Sequence, residues 1–219
     1  MRSIRRLLLI LLVLFAPGLV AEAGADGPGS GLGDSATDPG SILVLGDSLS
    51  AAYGMEIGES WPSLLQRRLD EDGYTYRVFN SSIAGDTTQG GLTRLPRLLE
   101  RHSPDIVILE LGGNDGLRGL PLEVTRSNLA GMIEQSREAG ARVLLAEMRI
   151  PPNYGRSYAE KFNGTYSELA AEYDVVLLPF LLQDIALEPG LMMDDGIHPT
   201  AAAQPVILDA VWAALQSLL

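Results

Sequence analysis

The sequence predicts an α/β protein, a three-layer α/β/α domain built on a parallel sheet, and three observations carry that expectation. Five short apolar runs recur, at residues 42–45, 76–80, 106–111, 143–148 and 175–178. They are nearly continuous in hydrophobic residues rather than alternating, as in strands covered on both faces. Longer segments with helical patterning lie between and after them, at 60–70, 89–101, 122–139, 157–173 and 201–218, and strands that alternate with helices build parallel sheets.

Residues 1–23 read as a signal peptide. Arg2, Arg5 and Arg6 give a positive start, residues 7–15 are an unbroken apolar run, and Ala21-Glu22-Ala23 places small residues where a signal peptidase inspects them. Cleavage after Ala25 would use Ala23-Gly24-Ala25 equally well. An uncleaved anchor is disfavoured because Pro17 and Gly18 interrupt a run already short of the ~20 residues of a membrane span. No stable membrane insertion is expected once the signal is removed. Residues 24–41, rich in Gly, Ser, Asp and Pro, read as a flexible leader. The leader's glycines do not fit G-x-G-x-x-G and follow no strand, so a dinucleotide loop is not expected.

The remainder, residues 42–219, reads as one domain. The 219-residue chain is 46% hydrophobic, enough for one sizeable core. It carries 28 acidic and 16 basic residues, a formal net charge of −12, which argues against a nucleic-acid surface. The chain has no cysteine, so export brings no disulfide, a thiol nucleophile is excluded, and so is a lipid-bearing cysteine. No apolar seam suggests self-association, and a monomer is expected.

In open parallel sheets, sites gather beyond the carboxyl ends of the strands. The first run, Ile42-Leu43-Val44-Leu45, leads into Gly46-Asp47-Ser48. The same tripeptide at Gly33-Asp34-Ser35 follows no strand and reads as linker. Ser48 at a strand-to-helix turn has two readings, a helix N-cap or a hydroxyl exposed beside backbone N–H groups. The Gly-x-Ser-x-Gly elbow of ordinary α/β-hydrolases is absent. The second strand leads to Gly85 and the third to Gly112-Gly113-Asn114-Asp115. Gly85 and Asn114 are either turn formers or donors to a developing oxyanion.

Two histidines are present. His102 ends a helical segment and reads as a solvent-facing residue near a helix C-terminus. His198 lies three residues after Asp195 in a turn that also holds Pro199. Such a turn either serves structure alone or lets the carboxylate hold one imidazole nitrogen while the other takes a proton.

Taken together, Gly46-Asp47-Ser48-Leu49, Gly85, Gly112-Gly113-Asn114-Asp115 and Asp195-Gly196-Ile197-His198-Pro199 resemble the four blocks of the SGNH (GDSL-type) hydrolases. Trp61-Pro62 and Pro151-Pro152-Asn153-Tyr154-Gly155-Arg156 are similar to one branch, that of bacterial periplasmic acyl-CoA thioesterase I/protease I/lysophospholipase L1 and secreted arylesterases. The resemblance runs from about Ile42 to the end of the chain. It implies a flavodoxin-like five-stranded sheet, Ser48 as nucleophile, His198 as base and Asp195 as its orienter. It implies an oxyanion hole from the N–H groups of Ser48 and Gly85 with the Asn114 amide, and no metal or organic cofactor.

The implied substrates are acyl esters and thioesters, including acyl-CoA, lysophospholipids and aryl esters, met in the periplasm or outside the cell. Gly116, Leu117 and Arg118 after the Asn114 block, with Ile150, Pro151 and Tyr154, are candidate substrate contacts; packing of that loop onto the sheet is the other reading. A carbohydrate O-acetylesterase of the same fold would want more sugar-stacking aromatics than the 6% present. A non-catalytic surface-binding module would have lost a block residue.

Overall fold

The computed structural model describes residues 39–219. The expected signal peptide with both cleavage sites, residues 24–38 of the leader and the Gly33-Asp34-Ser35 tripeptide all lie outside the described residues.

Five strands form one parallel sheet in the order β2-β1-β3-β4-β5. They are β1 (Gly40–Gly46), β2 (Tyr76–Asn80), β3 (Ile106–Glu110), β4 (Arg142–Ala146) and β5 (Val176–Leu178). Strand β1 starts inside the expected leader, because Gly40 N–H donates to Thr75 O and Ser41 N–H to Asp105 Oδ2 at 2.7 Å. The central strands β1 and β3 are buried along nearly their whole length, which is why they read as continuous apolar runs. Edge strand β2 is only half-buried.

Among the described residues six α-helices connect and flank the strands: α1 (Trp61–Glu71), α2 (Thr88–His102), α3 (Gly113–Leu117), α4 (Leu122–Glu138), α5 (Arg156–Tyr173) and α6 (Gln204–Leu215). Helices α1 and α6 pack together, tied by Trp61 N–H donating to Gln204 Oε1 at 2.9 Å. Helices α2, α4 and α5 form the other group, α4 packing against both neighbours. The expected final helix, 201–218, is α6 with a short 3₁₀ turn at each end. Pro205 in its first turn suits a helix start.

From β1 the chain passes first to one neighbour, β2, and then to the other, β3. The order therefore reverses beside β1, and a crevice opens beyond the carboxyl ends of β1 and β3. Ser48 and Asn114 follow those two strand ends.

Candidate active site

Ser48 is not a helix N-cap. The segment after β1 is a series of turns, and Asp47 organises it by accepting from Leu49 N–H at 3.1 Å through Oδ1 and from Ala51 N–H through its carbonyl. Gly46 is required at the strand end because a Cβ there would stand 2.4 Å from Glu110 Oε2.

Ser48 Oγ lies 2.9 Å from His198 Nε2, and His198 Nδ1 lies 2.6 Å from Asp195 Oδ2. A carboxylate at Nδ1 selects the tautomer whose proton is there, leaving Nε2 to accept from the Ser48 hydroxyl. Asp195 Oδ1 also accepts the N–H groups of Ile197 and His198, at 2.9 and 3.0 Å. The His198 backbone N–H, then the imidazole, then the Ile197 N–H hold the Asp195 carboxyl down at about 2. One carboxylate thus shapes the turn and orients the ring it carries. Tyr53 covers that ring, with centroids 4.2 Å apart and planes tilted by 32°.

Gly85 sits at φ +78°, in the left-handed region that favours glycine. Its loop is tied to the sheet by Ile83 N–H donating to Gly46 O at 3.0 Å. Arg118 Nη2 donates to Gly85 O at 2.9 Å. The Asn114 amide donates from Nδ2 to Asp47 Oδ2 at 3.0 Å. Asp115 next to it is buried and accepts from Thr88 N–H and Oγ1, which joins α3 to the start of α2.

Beside these groups opens a cavity of about 440 Å³, within the ~300–1,000 Å³ common for small-molecule sites. Ser48, Asn114 and His198 line it together with Leu49, Leu117, Met148, Ile150, Pro151, Phe180, Leu182, Ala186 and Met192. Of the expected substrate contacts, Leu117, Ile150 and Pro151 lie on this wall. Gly116 is buried, where a Cβ would meet Ile150 and Phe162. Arg118 is spent on Gly85, and Tyr154 is an exposed residue outside the lining.

The wall from Phe180 to Met192 is not legible in the sequence, since it belongs to a segment of turns with no hydrophobic period. His102 lies away from this cavity. It is half-buried against Phe79, with centroids 4.3 Å apart, rather than solvent-facing, and burial lowers its pKa. Among the described residues no cluster of three or more His, Asp or Glu is arranged to hold a metal ion.

Residues 44–205 match the model of the GDSL-like Lipase/Acylhydrolase family. Esterase TesA of Pseudomonas aeruginosa is 49% identical over 178 residues, covering 81% of this chain and 89% of that protein. A crystal structure of TesA superposes with a TM-score of 0.79 over 82% of this chain and 99% of that one. An arylesterase of Vibrio mimicus is 52% identical over 78% of this chain and 85% of its own length. Thioesterase 1/protease 1/lysophospholipase L1 of Escherichia coli K12 is 48% identical over 81% of this chain and 84% of that protein. The chain belongs to the GDSL-like lipase/acylhydrolase family and is an ester-hydrolysing enzyme.

Proposed function

We propose that the enzyme hydrolyses acyl esters and thioesters through an acyl-enzyme on Ser48. His198 takes the Ser48 proton as the oxygen attacks the carbonyl carbon, and Asp195 holds the imidazole and stabilises its cation. Negative charge then grows on the carbonyl oxygen, which faces the N–H groups of Ser48 and Gly85 and the Asn114 amide. Collapse expels the alcohol or thiol, with His198 returning its proton to an alkoxide. Water attacks the acyl-enzyme by the same route and regenerates Ser48.

The observation that carries this reading is the continuous chain from Ser48 Oγ through His198 to Asp195, at 2.9 and 2.6 Å, at an apolar cavity. The aliphatic and methionine wall supports acyl chains of medium to long length, bound as free esters, thioesters or lysophospholipids. The relatives' names, an arylesterase and a thioesterase/lysophospholipase, point the same way. The signal-like amino terminus supports a periplasmic or secreted enzyme. Among the described residues no helix is long and apolar enough to cross a membrane.

A fluorophosphonate probe tests the chemistry. Wild-type protein is expected to label at Ser48 and Ser48→Ala to stay unlabelled while folded; equal labelling of both would refute the assignment. Rates on p-nitrophenyl esters of increasing chain length, palmitoyl-CoA and lysophosphatidylcholine then rank the substrates.

A further inference from the structure

Behind Ser48 lies a carboxyl group that the mechanism above does not use. Glu110 ends β3 and is fully buried, in register with Gly46. Its Oε2 lies 3.2 Å from Asp47 N, a donor, and 2.6 Å from Ser50 Oγ. Its Oε1 has no partner. Asp47 and Ser50 bracket Ser48 along the chain, and Asp47 also receives the Asn114 amide. An aliphatic residue would fill the same volume at less cost in desolvation. It would leave the buried Asp47 N–H unpaired.

We propose that Glu110 is a positioning residue, whose buried carboxyl fixes the Ser48 segment on both sides and, through Asp47, the aim of the Asn114 amide. Burial first, and the adjacent Asp47 carboxyl second, push its pKa well above the usual carboxylate range. Its Oε2 is the acceptor that both the Asp47 N–H and the Ser50 hydroxyl use. A small misplacement of the reacting groups costs about 10²-fold in rate, which gives the brace its value.

The test compares Glu110→Ala with Glu110→Gln, which keeps an acceptor oxygen in nearly the same volume. The readouts are kcat and KM on p-nitrophenyl butyrate, the rate of fluorophosphonate labelling, and the folded fraction by circular dichroism at the assay temperature. Per folded molecule, E110A is expected to lose roughly 10–10²-fold in kcat, with KM little changed and labelling slowed in parallel. E110Q is expected to recover most of that loss. In an Asn114→Ala background the E110A loss should shrink, since the group it aims is gone.

A folded E110A with wild-type kcat, an E110Q as slow as E110A, or fully independent effects of E110A and N114A would each overturn the proposal. If E110A does not fold, Glu110→Met fills the volume without the hydrogen bonds and gives the same comparison. The inference rests on Ser48 as nucleophile. Labelling of S48A in the same assay exposes failure of that reading separately.

Discussion

Ser48 stands between two differently built halves. Beneath it, Asp47, Ser50 and Glu110 are buried, and the bonds joining them to each other and to Asn114 span 60 to 67 residues of sequence. Beside it, Asp195 and His198 are three residues apart on an exposed turn. On the proposed mechanism the difference follows from what each half handles. Charge appearing on a carbonyl oxygen is best met by dipoles fixed in advance in a dry setting. A proton moving through an imidazole needs only the correct tautomer and direction, which one carboxylate in a local turn supplies.

The largest expected effect breaks the exposed half. Asp195→Asn removes the charge that selects the His198 tautomer and should lower kcat by up to about 10⁴-fold. Solvent around Asp195 makes that figure a ceiling. Steady-state kinetics decide it, and a loss below about tenfold would mean that the turn orients the ring without the carboxylate. Next comes the buried half. If Asn114 is an oxyanion donor as proposed, Asn114→Ala should cost about 10²–10³ in kcat with KM nearly constant. A rise in KM at unchanged kcat would instead make Asn114 a ground-state contact.

The two halves also differ in sign when pH changes. Asp195 is held below its ordinary value of 3.8, so its contribution to stability is present above that pH and is lost as pH falls towards 2. Asp47 is raised by burial to about 6, against the opposing bonds from Leu49 N–H and Asn114. The folded state then binds its proton more tightly than the unfolded chain, and stability falls as pH rises from about 4 to about 6. Asp47→Asn should remove that fall, worth on the order of 3 kcal/mol. Urea unfolding at pH 4.5 and 6.5 checks it, an interval that spans roughly 2 kcal/mol of the fall, and an unchanged wild-type-to-variant difference between the two pH values would contradict a buried, titrating Asp47.

The same contrast explains what is legible in the sequence. Asp195-x-x-His198 is a local pattern, and its pairing is visible at three residues' spacing. The central strands are legible because burial on both faces writes a continuous apolar run. Glu110 is hidden inside one such run, and only its charge at the strand's last position hints at a role that depends on β1 and β3 lying side by side. The helix α3 is hidden as well, since Gly-Asn-Asp-Gly is turn chemistry by composition. Ser48 suggests a helix cap because local sequence does not foretell the Asp47-centred turns that follow it.

The smallest effect tests where the halves meet, on the acyl wall. Phe180 comes from the irregular segment after β5, while Leu117 and Met148 come from the segments following β3 and β4. Phe180→Ala removes apolar surface from that wall, surface that on the proposed mechanism lies along the acyl chain rather than at the carbonyl. Each methylene that loses such contact forfeits up to about 0.8 kcal/mol, roughly fourfold in kcat/KM. The loss should therefore grow from acetyl to decanoyl p-nitrophenyl esters, with the acetyl ester affected least. An equal loss at every length would place the chain elsewhere and leave Phe180 as support for the His198 segment. A graded loss would join the two halves in one site, the buried side fixing the carbonyl and the irregular side measuring the chain.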